Sequence, residues 1–266
     1  MQIKKYYQLL KLSWSNGFVY RTSVLLWRLR NFLSSLMALT IWSVIYTNQN
    51  STFGYTEESM ITYIFLIGIL QSIILATVMH GLASDIYSGA ISKELVKPVN
   101  VWLYLGVQDV ADKLKNFGFV IIESTILYFI FQPTLHFPTS PFILALFVIW
   151  LILGAFIYFF INILLGTLGF WSPEVWAPRF LFFIFLDFTA GRLYPLDILP
   201  TIIQKIVYLT PFPYMSYAQL QLYLDRYTEQ EILFNTLVLI GWTLLLGTVA
   251  RQVWNHGMKS YSAAGQ

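Results

Sequence analysis

The sequence predicts an all-α polytopic membrane protein of six crossings, with a basic amphipathic helix before the first and a folded-back apolar stretch before the last. Of 266 residues, 57% are hydrophobic and only 11% charged, whereas soluble domains carry about a quarter charged. Mean hydropathy is +0.64. Residues 31–56, 59–84 and 124–173 contain no Asp, Glu, Lys or Arg at all. Absence of cysteine excludes disulfides and thiolate metal sites. Residues 1–266 read as a single membrane domain.

At the N-terminus, Ile3, Tyr7, Leu10, Trp14 and Phe18 recur at spacings of three and four, with Lys4, Gln8, Lys11 and Ser15 alongside. That pattern predicts an amphipathic helix within residues 1–22, lying on the inner leaflet as an anchor or as a transmitting element. The segment lacks the apolar core and small-residue cleavage site of a signal peptide, so it is expected to be retained. A bilayer core of about 30 Å takes roughly 20 apolar residues as helix. The uncharged runs then place spans at 26–47 and 60–80, at 114–132 and 141–169 on either side of "FQPTLHFPTSP", at 178–194, and at 231–252.

An even number of crossings puts both termini on one side. That side holds Lys4, Lys5, Lys11, Arg21, Arg28, Arg30, Lys93, Lys97, Lys113, Lys115, Arg179, Arg251 and Lys259, against only Arg192, Lys205 and Arg226 opposite. Such asymmetry predicts cytoplasmic termini in a multi-pass protein of the cell membrane.

Between the second and third spans, Ser84 can cap a helix with Asp85 in its first turn, and Pro98 ends it. Ile86, Ala90, Ile91 and Leu95 fall on one side of it. Two readings stay open for 84–98: a helix docking into another protein's groove, or a connector packed on its own bundle. Between the fifth and sixth spans, residues 195–227 are apolar yet rich in proline, including Pro195, Pro200, Pro211 and Pro213. Non-helical backbone survives at membrane depth only where protein or a water-filled cavity covers it. Either two short helices dip into the outer leaflet and return, or they lie flat at the interface.

Two carboxylates fall inside expected spans. Glu123 and Asp187 lie about 12 Å from the cytoplasmic boundary at 1.5 Å per residue. Each should face protein or water rather than lipid. They belong either to a translocation path or to buried hydrogen bonds, with Asn162 or Gln71 as partners. Arg192, five residues after Asp187, sits at a poor helical pairing distance and is expected at the outer interface.

These residues carry a resemblance. "DIYSGAISKELVKPVNVWLY" after the second span, "AGRLYPLDILPTIIQKIVYLTPFPYMSY" after the fifth and "NHGMKSYSAAG" at the C-terminus resemble ABC-type export permeases of the type-2 superfamily. The six-span bacterial branch, the ABC-2 family transporter proteins of the inner membrane, is the most similar. The carrying patterns are Gly191, Leu193, Pro195, Leu196, Leu199 and Pro200 in one stretch, and Asp85, Ile86, Gly89, Leu95 and Pro98 in the other. The resemblance implies that 84–98, with Ile91 and Glu94 among them, is a coupling helix docking into a separate nucleotide-binding ATPase subunit beside an N-terminal interface helix. It implies that 195–227 forms outer re-entrant helices, and that an amphipathic or lipid-like substrate moves outward.

The sequence itself contains no G-x-x-x-x-G-K-[ST] phosphate loop. ATP and Mg are therefore expected on the partner, and no cofactor or metal on this chain. A second permease, identical or paralogous, is expected because one six-span bundle leaves little room for a passage. Membrane lipids are expected neighbours; nucleic acid is not. Two alternatives remain: an ion-coupled secondary transporter using Glu123 and Asp187, and an integral-membrane lipid or glycan transferase. Against the transferase, His80, His136 and His256 are far apart with no metal-ligand spacing.

Overall fold

The computed structural model describes residues 2–47 and 51–261, with side chains from Lys4 onward. Met1, the Ile3 side chain assigned to the N-terminal apolar face, and residues 262–265 of the C-terminal signature lie outside the described residues. The chain begins with α1 (Gln2–Asn16) and α2 (Arg21–Tyr46), followed by a minimal hairpin of β1 (Ser51–Thr52) and β2 (Tyr55–Thr56). Then come α3 (Glu57–Ile74), α4 (Leu82–Tyr87), α5 (Ser92–Leu95), α6 (Val101–Phe131) and α7 (Pro141–Thr167). The last part holds α8 (Trp176–Thr189), α9 (Thr201–Tyr208), α10 (Tyr217–Tyr223) and α11 (Glu229–Ser260).

Helix starts follow local chemistry. Thr56, Asn100, Ser140 and Thr228 each accept backbone N–H groups at the head of α3, α6, α7 and α11, and Thr228 with Glu231 forms a reciprocal capping box. Ser140 is followed by Pro141, whose missing N–H is harmless in a first turn.

The two ends of the bundle differ. At one, the hairpin, the 132–140 turn and the 225–228 turn meet: Thr139 N–H donates to Asp225 at 2.9 Å and Arg226 donates to the Gly54 carbonyl at 3.0 Å. We term this the hairpin end. At the other, the basic end, Asn100 N–H donates to Tyr6 Oη, the Trp102 and Trp254 rings meet at 5.9 Å, and Tyr261 donates to the Gly89 carbonyl. The start of α1 and the end of α11 thus share one end. Rather than standing apart, α1 packs along the first half of α6, with Phe18 reaching Phe119.

Among the described residues five helices, α2, α3, α6, α7 and α11, are long and apolar enough to cross a membrane. The crossing expected at 178–194 is α8, whose 14 residues extend only about 21 Å at 1.5 Å per residue. It starts beside the basic end of α3, where Arg179 donates to the Met79 carbonyl at 2.9 Å, and stops at Gly191, which has a φ of +70°. The Gly191 carbonyl accepts from the Tyr63 hydroxyl, midway along α3. A Cβ there would come within 2.5 Å of Tyr63 Oη and 2.9 Å of Tyr217 Cβ. Close packing against α3 therefore ends the helix early, and the following segment occupies the space above it.

Two apolar cores result. The larger joins α3, α7, α8 and the 195–224 segment through Tyr63, Trp150, Tyr158, Leu196, Met215 and Leu220. The smaller, at the basic end, joins Leu82, Ile86, Ile91, Leu105, Ile163, Phe170 and Trp254.

Candidate functional site

The 82–100 loop is built in two pieces, which corrects the expected single helix over 84–98. Gly81, not Ser84, precedes α4; Ser84 lies within it and its carbonyl accepts from Ser88 N–H at 2.9 Å. The chain then turns at Gly89, with a φ of +76°, before α5. That left-handed conformation is open to glycine at little cost and breaks any continuous helix. The Gly89 carbonyl is held by Ser92 Oγ and by Tyr261 Oη at 3.1 Å.

The apolar side of the loop faces inward. Ile86 and Ile91 are buried in the basic-end core, and Leu95 packs against it. At position 169 a Cβ would lie 2.2 Å from the Ala83 carbonyl, so glycine there lets α4 seat on the end of α7. The apolar edge is therefore spent on the molecule's own bundle. The outward surface is formed instead by Asp85, Ser88, Ala90, Lys93, Pro98 and Val96, the last 83% exposed. Glu94 pairs with Lys97 at 2.6 Å. Burial, and next the nearby Glu94, push the Asp85 carboxyl up. His80, behind the loop, is pushed down by burial and then by Arg179.

At the hairpin end, the two halves of the 195–224 segment differ in burial. Tyr217 through Leu222 of α10 are all buried, on every side of a seven-residue helix. Its entry turn reaches deep: a Cβ on Gly154 of α7 would sit 3.2 Å from the Tyr214 and Met215 carbonyls. By contrast, α9 buries only Val207 and exposes Ile202, Ile206 and Leu209, with Lys205 also outside. One helix inserts into protein and its neighbour lies on the rim.

Of the patterned residues, Gly191, Pro195, Leu196 and Pro213 are buried, whereas Leu193 and Pro200 are exposed. Leu199 and Pro211 are partly buried. Asp197 ties the segment together. It accepts from Tyr217 and from Tyr55 (2.7 Å), with Arg226 at 3.5 Å. The Arg226 guanidinium in turn lies 3.8 Å over the Tyr55 ring. Burial, with Asp197 next, pushes the Tyr55 hydroxyl far up, so it remains a donor.

Inside the bundle, both expected partners of the carboxylates are corrected. Glu123 pairs not with Asn162 or Gln71 but with Arg28 of α2, through Nε at 2.7 Å and Nη2. Arg28 also reaches Asn116 at 3.2 Å, and both charged side chains are largely buried. This fork fastens α2 to α6. Asp187 pairs with Arg192, which does not rise to the interface. Helical spacing made that pair look improbable, but the helix ends at Thr189 and the turn at Gly191 brings Arg192 back. Arg192 also reaches Gln71 at 3.4 Å. Asn162 stands apart from both acids, donating to the Tyr158 carbonyl at 3.0 Å and accepting from Arg179.

A family model described as ABC-2 family transporter protein matches residues 32–265. Comparison with curated proteins gave no match. The matched region takes in the broken 82–100 loop, the Gly191 turn and the segment built on Asp197, so the apolar helices and these two structures occur on one family framework. The chain belongs to the ABC-2 family of transporter proteins, as a transmembrane permease of an ABC transporter.

Proposed function

We propose that this permease forms half of the membrane core of an ATP-driven exporter, with its basic end in the cytoplasm and a separate ATPase subunit seated on the 82–100 loop. The observation that carries the reading is the outward surface of Asp85, Ser88, Ala90, Lys93, Val96 and Pro98, free while the loop's other face is anchored in the core. A loop fixed on one side and open on the other passes a push into the bundle instead of absorbing it. The push would run through Ile86 and Ile91 into α6, α7 and α11, whose residues share that small core. ATP and Mg belong to the partner in this scheme, and a second permease completes the passage. The α9–α10 segment caps it on the exterior face, and an amphipathic, lipid-like molecule is the cargo.

The ion-coupled alternative is less well supported. Glu123 and Asp187, the two carboxylates it would use, are each occupied in an ion pair within the chain, with Arg28 and Arg192.

Copurification is the direct test. The tagged chain should bring down an ATPase subunit, and Val96→Asp should abolish that capture while the permease still folds. Gly89→Ala and Glu94→Ala should uncouple ATP hydrolysis from transport in proteoliposomes. Transport driven by an ion gradient, with no ATPase recovered, would replace this reading with a secondary carrier.

A further inference from the structure

The smaller core joins the 82–100 loop to α6, α7 and α11, but among the described residues none of α8 belongs to it. What ties α8 to that loop is its own first turn. Arg179 donates through Nη2 to the Met79 carbonyl at 2.9 Å and through Nη1 to His80 Nδ1 at 3.1 Å, directly ahead of α4. Nη1 also reaches Asn162 Oδ1 of α7 at 3.4 Å. One turn on, the Phe183 ring meets the His80 ring at 5.8 Å. Apart from this attachment, α8 buries only Phe182 and Leu186.

Every acceptor of Arg179 is uncharged, and it forms no ion pair among the described residues. A guanidinium can only donate, so His80 Nδ1 must offer a lone pair, which makes the imidazole neutral with its proton on Nε2. Protonation would turn that acceptor into a donor and set two positive charges against each other. No nearby carboxylate is free to absorb the second charge. On α6, which packs here through Lys113 and the Ala76 carbonyl, Asp109 is paired with Lys113 and Asp112 with Lys115. Asp85 lies on the outward surface of α4, and α7 presents the uncharged Asn162.

We propose that Arg179 is the positioning residue that joins the 82–100 loop to α8, and that it does so only while His80 is neutral. A push on the loop then reaches α8, and beyond it the Gly191 turn and the outer segment; acid on the basic side lets α8 go. The contact is complete at high pH and lost as pH falls. With His80 protonation held down, the loss comes below the ordinary histidine value of about 6.5. The inference rests on the permease reading and adds α8 to the route of the push.

Because the chain contains no cysteine, pairs of spin labels can be placed without background. The first pair, Val96→Cys with Leu181→Cys, uses exposed positions on the loop and on α8 and needs no ATPase. For the full chain in nanodiscs, the label distances should be narrowly distributed at about pH 8 and broad at about pH 5, the range over which histidine changes charge. Arg179→Gln should be broad at both. His80→Lys, a fixed charge at an exposed position, should also be broad at both, and serves even if Arg179→Gln fails to fold. His80→Asn keeps an acceptor near Nδ1 that does not titrate, and should stay narrow throughout. A second pair, Leu181→Cys with Phe137→Cys, is read in the complex with the copurified ATPase subunit. ATP with vanadate should shift this distance, and Arg179→Gln and His80→Lys should lose the shift while still capturing the ATPase. A wild-type distribution unchanged by acid, His80→Asn broadening in acid as the wild type does, or a shift that survives His80→Lys overturns the proposal. Failure to capture any ATPase counts against the permease reading instead, and the first pair still decides the contact.

Discussion

The 190–227 segment and the 82–100 loop are both short helices joined by tight turns, and both turn at a glycine of positive φ. They are held very differently. Around Gly191 the chain is enclosed: α10 is buried on every face, Asp197 gathers Tyr55, Tyr217 and Arg226, and Tyr63 and Ser216 close the turn by donating to the Gly191 and Ala190 carbonyls. Around Gly89 only one face is anchored, and two side-chain hydroxyls share one carbonyl. Segments with few buried contacts open at the lowest free-energy cost. One glycine turn is enclosed on all sides; the other is left open on one face.

Substitutions can break or sharpen that contrast. Gly191→Val should be the most damaging. It combines a β-branched residue at positive φ with a Cβ overlapping Tyr63 and Tyr217, and should cost at least about 4 kcal/mol, seen as loss of monodisperse protein in detergent. Trp254→Ala should cost about 3 kcal/mol by emptying the basic-end core, measured as a fall in thermal midpoint. Asp197→Asn should cost about 2 kcal/mol, because three donors lose a charged acceptor.

Gly89→Ala should cost only about 1 kcal/mol, yet impair transport more than its stability loss explains. Were it as destabilising as Gly191→Val, the loop would belong to the rigid core and the contrast would fail. Smallest of all, Val96→Asp should shift stability by less than about 0.5 kcal/mol while removing ATPase capture. A separate check concerns sidedness: a tag reactive at Lys205→Cys should label from outside the cell, and labelling from the cytosol would reverse the orientation proposed for both regions.

The apolar helices were legible because hydropathy adds along the chain and needs no knowledge of neighbours. The shared end of α1 and α11 followed from an even count of traverses. Less was legible at the site. The proline-rich pattern at 195–224 announced an unusual segment, but not that α10 would be enclosed while α9 stayed on the rim. Glycine at 89 was visible as part of a family pattern; its helix-breaking role was not, because capping by Ser84 and termination at Pro98 made a continuous helix equally consistent.

Pairing of charges was where local reasoning failed. Arg28 stood in sequence only as one of many basic residues near a span end, and nothing near it in the chain pointed to Glu123, 95 positions away. Arg192 was judged by helical spacing although the helix ends before it. The sequence by itself determined the membrane class, the apolar helices and the family. Tertiary structure alone decided which loop face is free, where α8 stops and which guanidinium neutralises which carboxylate. Burial of apolar length is a property of each segment, whereas a close approach or an ion pair depends on the rotation and depth at which two segments meet.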